Sequence, residues 1–220
     1  TIRTSFQGIT HYAGLYDQSR YFDNAMTRFF MAKGWNITQF SVIRNLSELL
    51  IEKVLVERYP HLQEHQVSCH AAHKEGERVR PCGDCEKCRR IIGMLSALGA
   101  DPKRCGYTDS QIVGALEAVK SKHVHQEVAA ARHMIYLLHQ RGLLTASPKR
   151  GQKQTPHREV LSLRLENKKS PLNGIPVDLR RTLFEIYLQH ADGSVRKSGR
   201  RWIDYDPLQD PDFEIPYPFD

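Results

Sequence analysis

VSCHAAHKEGERVRPCGDCEKCRRIIGMLSALG, residues 67–99, places Cys69, Cys82, Cys85 and Cys88 directly ahead of an apolar run with helical spacing. The last three cysteines are separated by two-residue spacers, and twelve residues lie between Cys69 and Cys82. Consecutive Cys-x-x-Cys turns let thiolates converge on one ion at about 2.3 Å, and a more distant fourth cysteine closes a tetrahedron. Four sulfurs leave no open coordination position, so the expected centre is structural zinc. Two other uses of the same cysteines compete with it. Disulfides suit an oxidising compartment, but no secretory segment is evident and Cys105 would be left over as an odd thiol. An iron–sulfur cluster also takes four cysteines, usually in a different motif context. His70 and His73 lie beside the first cysteine and could replace one sulfur.

Working outward, Ile91, Ile92, Leu95 and Leu98 share a helix face that starts at Cys88 and ends at Gly99. A thiolate at that N-terminus is favoured by the helix dipole. Upstream, WNITQFSV (residues 35–42) is rich in β-formers and is predicted as a strand. Asn45 with Glu48 resembles a capping box, opening a helix whose apolar face is Leu46, Leu49, Leu50 and Val54 and which stops before Pro60. A strand feeding a capped helix points to an α/β layer. Nearer the N-terminus, Phe22, Ala25, Met26, Phe29 and Phe30 repeat at helical spacing and are expected in the core. Downstream, Thr108 with Gln111 forms a second capping box. A further helix over about 125–141 turns Val128, Ala131, Ile135 and Leu138 inward and ends at Gly142. Residues 145–158 have the composition of a linker. VLSLRLEN then alternates like a strand, VDLRRTLFEIYLQH is an amphipathic helix, and the proline-rich acidic ending from Asp204 is expected to form an extended strap. Three segments result: 1–105, 106–144 and 145–220.

Bulk properties narrow the partners. With 32 Lys and Arg against 25 Asp and Glu, the chain carries a formal charge of +7, and its pI is near 9.2. An anionic partner is therefore plausible, whether nucleotide or nucleic acid. No apolar run approaches the roughly 18 residues of a membrane span, and the cysteine usage fits a reducing cytoplasm. There is no Gly-x-x-x-x-Gly-Lys-Ser/Thr loop and no Gly-x-Gly-x-x-Gly turn. Cys105 follows a helix end without a base nearby in sequence, which argues against a nucleophile. His123, His125, His133 and His139 lack the i, i+4 spacing of helical metal pairs.

Ser68-Cys69, Cys82-Gly83-x-Cys85-x-x-Cys88, Arg89-Arg90 and Asp101-Pro102 together resemble the C-terminal part of the 7-cyano-7-deazaguanine synthase family. HYAGLYDQSRYF extends the likeness upstream, with Arg20 and Phe22 in register, so that it covers about residues 1–105. The resemblance implies a partial Rossmann-like, PP-loop layer with a zinc knot, followed here by a mainly helical extension with short strands. It implies ATP-dependent adenylation of a heterocyclic carboxylate and attack by ammonia to give an amide and then a nitrile. Cys69, Cys82, Cys85 and Cys88 become the zinc ligands, and Tyr12, Asp17 and Arg20 approach the substrate. Catalytic residues are not assigned. The family's Ser-Gly-Gly-x-Asp-Ser loop is absent from the sequence, Gln18 stands where its Asp is expected, and the spacer between the first two cysteines is longer than usual. Since TIRTSFQG opens without methionine, ATP with magnesium is expected only if an upstream half supplies that loop.

Two other readings stand beside this one. Arg78, Arg80, Arg89 and Arg90, with the basic runs 149–153 and 196–202, could contact nucleic acid through phosphates. Alternatively residues 106–220 could serve as a scaffold, docking the remainder of the same polypeptide or a second copy.

Overall fold

The computed structural model describes residues 2–13, 16–122, 124, 126–144 and 156–219, with the backbone alone at 2–4, 6, 9–13 and 16. The basic run 149–153, most of the expected linker, and His123 and His125 lie outside the described residues. In chain order the elements are β1 (Ile2–Phe6), β2 (Ile9–Ala13), α1 (Arg20–Ala32), α2 (Glu48–Arg58), β3 (His73–Glu75), β4 (Arg78–Arg80) and α3 (Glu86–Leu98). Then follow α4 (Asp109–Val119), α5 (Val128–Gln140), β5 (Leu163–Leu165), α6 (Val177–His190), β6 (Ser194–Ser198) and β7 (Arg201–Asp204). The protein is a mixed α/β chain, about half helical, with small sheets: β1-β2, β3-β4 and β5-β6-β7. The pairings of described register are antiparallel hairpins, which is not the parallel pattern of a Rossmann-like layer.

Two compact units divide the chain. One comprises residues 46–163 and 187–193, the other residues 1–45, 164–186 and 194–220. They are thus assembled from interleaved segments, whereas the sequence reading divided the chain at 105 and 145. The reason in the first unit is a shared core: Leu49 of α2, Ile92 and Leu95 of α3, Ala115 of α4, Met134 and Leu138 of α5, and Val160 all belong to one buried apolar cluster. Helix α3 is buried nearly all round, not on one face alone. Gly93 lets α5 approach it, since a Cβ there would stand 3.0 Å from the Met134 sulfur.

Helix ends follow local chemistry. Cys85, not Cys88, caps α3, and Gly99 ends the helix in the left-handed region at φ 78°. Thr108 and Gln111 form the full capping box on α4. At α2 the cap is Ser47, which accepts from the Leu50 N–H, in place of the expected Asn45. Asn45 is used elsewhere, its side-chain amide donating to the carbonyls of Arg164 (3.0 Å) and Ser170 (3.2 Å). Helix α5 is rotated from the predicted face: Ala130, His133, Met134 and Leu138 are buried, and Val128 is exposed.

The other unit buries polar groups where apolar ones were expected. On α1, Asp23 and Thr27 are buried and Phe29 is exposed. Residues 35–41 are irregular, not a strand. Gln39 explains both departures: its N–H donates to the Thr27 hydroxyl (2.9 Å) and its side-chain amide to Asp23 (3.0 Å). Arg44 completes the set through an ion pair with Asp23. Backbone groups satisfied by helix side chains need no neighbouring strand. The acidic ending does form a strap, folded into 3₁₀ turns at Pro207–Gln209 and Pro211–Glu214, with Phe213 and Tyr217 buried. Arg180 of α6 is fully buried and donates to the carbonyls of Ile175, Phe213 and Ile215.

Candidate metal centre

The sulfurs of Cys69, Cys82, Cys85 and Cys88 all lie within 4.8 Å of one another, close enough to hold one metal ion. Three of the six edges are short: Cys69–Cys85 and Cys82–Cys88 at 3.8 Å, and Cys85–Cys88 at 3.5 Å. The cysteines are free, and these separations are far beyond the roughly 2.05 Å of a disulfide. His70 and His73 are exposed, and the cluster is complete without either.

Local folding explains the convergence. Gly83 adopts φ 78°, a conformation that costs an L-residue about 1–2 kcal/mol, so the chain reverses between Cys82 and Cys85. A Cβ at Gly83 would also stand 2.4 Å from the Gln111 side chain. Gln111 in turn donates to the Cys82 carbonyl (3.1 Å), which ties the knuckle to the start of α4. The β3–β4 hairpin closes the twelve-residue spacer and returns the Cys82 N–H to the Cys69 sulfur.

Backbone N–H groups are aimed at the sulfurs. Those of Ala71 and Cys82 donate to Cys69 (3.3 and 3.2 Å), that of Cys85 to Cys82 (3.4 Å), and that of Cys88 to Cys85 (3.5 Å). Such donors stabilise thiolates. For Cys85, burial works against ionisation, but the N–H groups of Cys88 and His70 prevail and bring the thiol down to about 6. Cys88 is pushed up, first by burial and then by its neighbour Cys85. A bound cation would remove that penalty, since metal coordination deprotonates thiols outright. The Tyr107 hydroxyl is enclosed beside Cys88, close enough to ease ionisation of that thiol and to be pushed up by it in turn. It is placed to donate to a thiolate there. The donor set therefore fits a thiophilic metal ion.

The remaining candidate residues are not among the four of the cluster. Asp17 is exposed in a 3₁₀ turn, Arg20 opens α1 half-buried, and only the backbone of Tyr12 is described, on β2. Arg89 is buried, while Arg78, Arg80 and Arg90 pair with Glu64, Glu75 and Glu48. The basic run 196–202 forms the β6–β7 hairpin, where Lys197 lies over the Trp202 ring and Arg196 pairs with Asp210. Cys105 is buried and its thiol is pushed up to about 12 by burial, with Glu52 and Asp101 adding to the effect. His133 is buried and accepts from the His157 N–H (3.0 Å), an ordinary core histidine. Sequence reading missed the roles of Tyr107 and of Gln111 at the centre; the capping box identified Gln111, but its reach to Cys82 is a tertiary contact. The chain matches no protein-family model, no curated protein and no solved structure.

Proposed function

We propose that the four cysteines hold one zinc ion as a closed structural knot. The observation that carries this is the sulfur geometry. A tetrahedron with metal–sulfur bonds of about 2.3 Å has edges of about 3.8 Å; three of the six edges here are 3.5 to 3.8 Å and none exceeds 4.8 Å. Edges this short enclose a single ion; the cysteine sulfurs around a four-iron cube stand further apart. All coordination positions are filled by protein, so the metal would organise the fold and leave chemistry to other groups. Such a centre suits a reducing compartment such as the cytoplasm.

Around that knot we read the chain as the metal-bearing portion of an ATP-dependent, amide- or nitrile-forming ligase of the 7-cyano-7-deazaguanine synthase type. Support comes from the order Ser68-Cys69, Cys82-Gly83-x-Cys85-x-x-Cys88 and Asp101-Pro102. Tyr12, Asp17 and Arg20 would meet a heterocyclic carboxylate. ATP with magnesium would bind only where an N-terminal half carrying a Ser-Gly-Gly-x-Asp-Ser loop completes the partial Rossmann-like layer read over residues 1–105. An extended nucleic-acid face has less support, because Arg89 is buried and Arg78, Arg80 and Arg90 have carboxylate partners.

Metal analysis of the chain purified under reducing conditions tests the first part. One equivalent of zinc is expected, and cobalt exchanged into the site should give tetrahedral thiolate spectra. Substoichiometric metal with all thiols titratable would overturn the knot. For the second part, fusing a Ser-Gly-Gly-x-Asp-Ser segment to the chain should produce carboxylate-dependent release of pyrophosphate from ATP. ATP hydrolysis by the present chain alone would contradict the division of labour.

A further inference from the structure

The twelve-residue spacer between Cys69 and Cys82 does more than connect two ligands. Its hairpin, β3–β4, forms one wall of a cavity of about 480 Å³, whose other walls come from the segment around Glu64–Val67 and from Arg104. That volume is in the range of small-molecule sites. Three guanidinium groups line it, those of Arg78, Arg80 and Arg104, against two carboxylates, Glu64 and Glu77. We propose that this cavity binds a small ligand through an oxyanion, a carboxylate or a phosphomonoester, with Arg104 as its anchor.

The state of each arginine singles out Arg104. Arg80 donates to Glu75 (2.9 Å), and Arg78 approaches Glu64 at 3.7 Å. Arg104 is exposed and has no carboxylate within 4.0 Å among the described residues; its guanidinium donates at 3.4 Å to the neutral Gln63 side-chain oxygen. Gln63 itself is 1% exposed, and its amide nitrogen has no partner among the described residues. A buried amide left half-satisfied is costly. Here that cost accompanies the holding of a cationic head at the cavity wall. A planar guanidinium with free N–H groups matches the two oxygens of a carboxylate or phosphate.

Backbone geometry independently brings a second guanidinium to the same place. Gly106, directly after the 3₁₀ turn Pro102–Cys105, adopts φ 88°, and a Cβ there would stand 2.7 Å from an Arg80 guanidinium nitrogen. Only a glycine lets Arg80 lie over that turn. Glu77, which has no cation within 4.0 Å among the described residues, is the natural acceptor for an amino or hydroxyl group on the same ligand. The inference relies on the metal centre only as the clamp that closes the hairpin.

Titration calorimetry on the metal-loaded chain tests it, with 4-aminophenyl phosphate and 4-aminobenzoate as separate probes and a short single-stranded RNA as a third. Saturable binding of either small anion is expected, and the tighter of the two identifies the oxyanion. Arg104→Gln should weaken it by about tenfold, with Arg104→Lys in between, because charge survives and the fork does not. Metal content, measured on the same samples, should stay unchanged in both variants. Binding that is unaffected by Arg104→Gln, absence of binding by both small anions, or binding of RNA alone would each overturn the proposal. Failure with full metal occupancy refutes the cavity and spares the knot; absent metal refutes the knot first.

Discussion

The loop from Cys69 to Cys88 and the strap from Tyr205 to Phe219 are both long stretches with little regular structure, and each is ordered by a different device. In the loop, the inward-facing groups are four sulfurs that would repel one another as thiolates, so in the zinc knot proposed above order would depend on a cation from outside the chain. In the strap, the ordering cation is Arg180, part of the polypeptide, which gathers the carbonyls of Phe213 and Ile215 from within α6. Arg181 reinforces it, stacking over Phe213 at 4.7 Å and pairing with Glu214 at 3.2 Å. One device can be added or withdrawn by the surroundings. The other is permanent.

The largest effect should come from the loop. Cys85→Ser removes a ligand while leaving a hydroxyl that can still cap α3, and loss of a structural zinc ligand should destabilise the unit by several kcal/mol. Urea unfolding with and without chelator checks this: the wild type should fall to the level of the variant when zinc is stripped. The matching test in the strap is Arg180→Leu, which leaves buried carbonyls without donors and should cost about 3 kcal/mol. Chelator should not change that value. If it does, the two devices are not separate.

A third prediction concerns Glu52, which is buried in α2 and receives both its hydrogen bonds from Gln66, at 2.9 and 2.6 Å. Burial raises it to about 7, opposed by Gln66 and aided by Glu48. The folded state thus binds a proton that the unfolded state has released, and stability should fall as pH rises from about 4.5 to 7. The total is on the order of 3 kcal/mol at most. Glu52→Gln should flatten that slope in thermal melts across the interval. The smallest effect is at the knuckle: Gly83→Ala forces a left-handed alanine against Gln111 and should cost about 1–2 kcal/mol. Its signature is faster metal loss to a chelator at nearly unchanged secondary structure.

The same contrast explains what could be read in the sequence. Metal spacing, the Gly99 terminus, the Thr108–Gln111 box and the span of α6 are written in residues close together in the chain. Their local chemistry and their tertiary role agree. Asn45 and Gln39 are the opposite case. Each has a strong local preference, cap for one and strand for the other, and each is diverted by partners the sequence does not place beside it. Gln39 serves Asp23 and Thr27 on α1, while Asn45 serves carbonyls at 164 and 170. Propensity loses when side-chain partners satisfy the backbone another way. The cavity was illegible for the same reason: Arg78, Arg80 and Arg104 appear in the sequence as charges, and only folding gives them a common wall.

The bond from the Tyr217 hydroxyl to the Gln39 carbonyl, at 3.2 Å, joins positions 178 residues apart. On a ribosome adding about 5–20 residues per second, Gln39 therefore waits roughly 9–36 s for its partner to be made. During that interval the core spanning 46–163 is already being completed, while Phe40, whose ring packs on that of Tyr217 at 5.8 Å, stands without the strap. Synthesis thus delays the closing of this unit, because the strap residue that packs on Phe40 leaves the ribosome long after Phe40 itself.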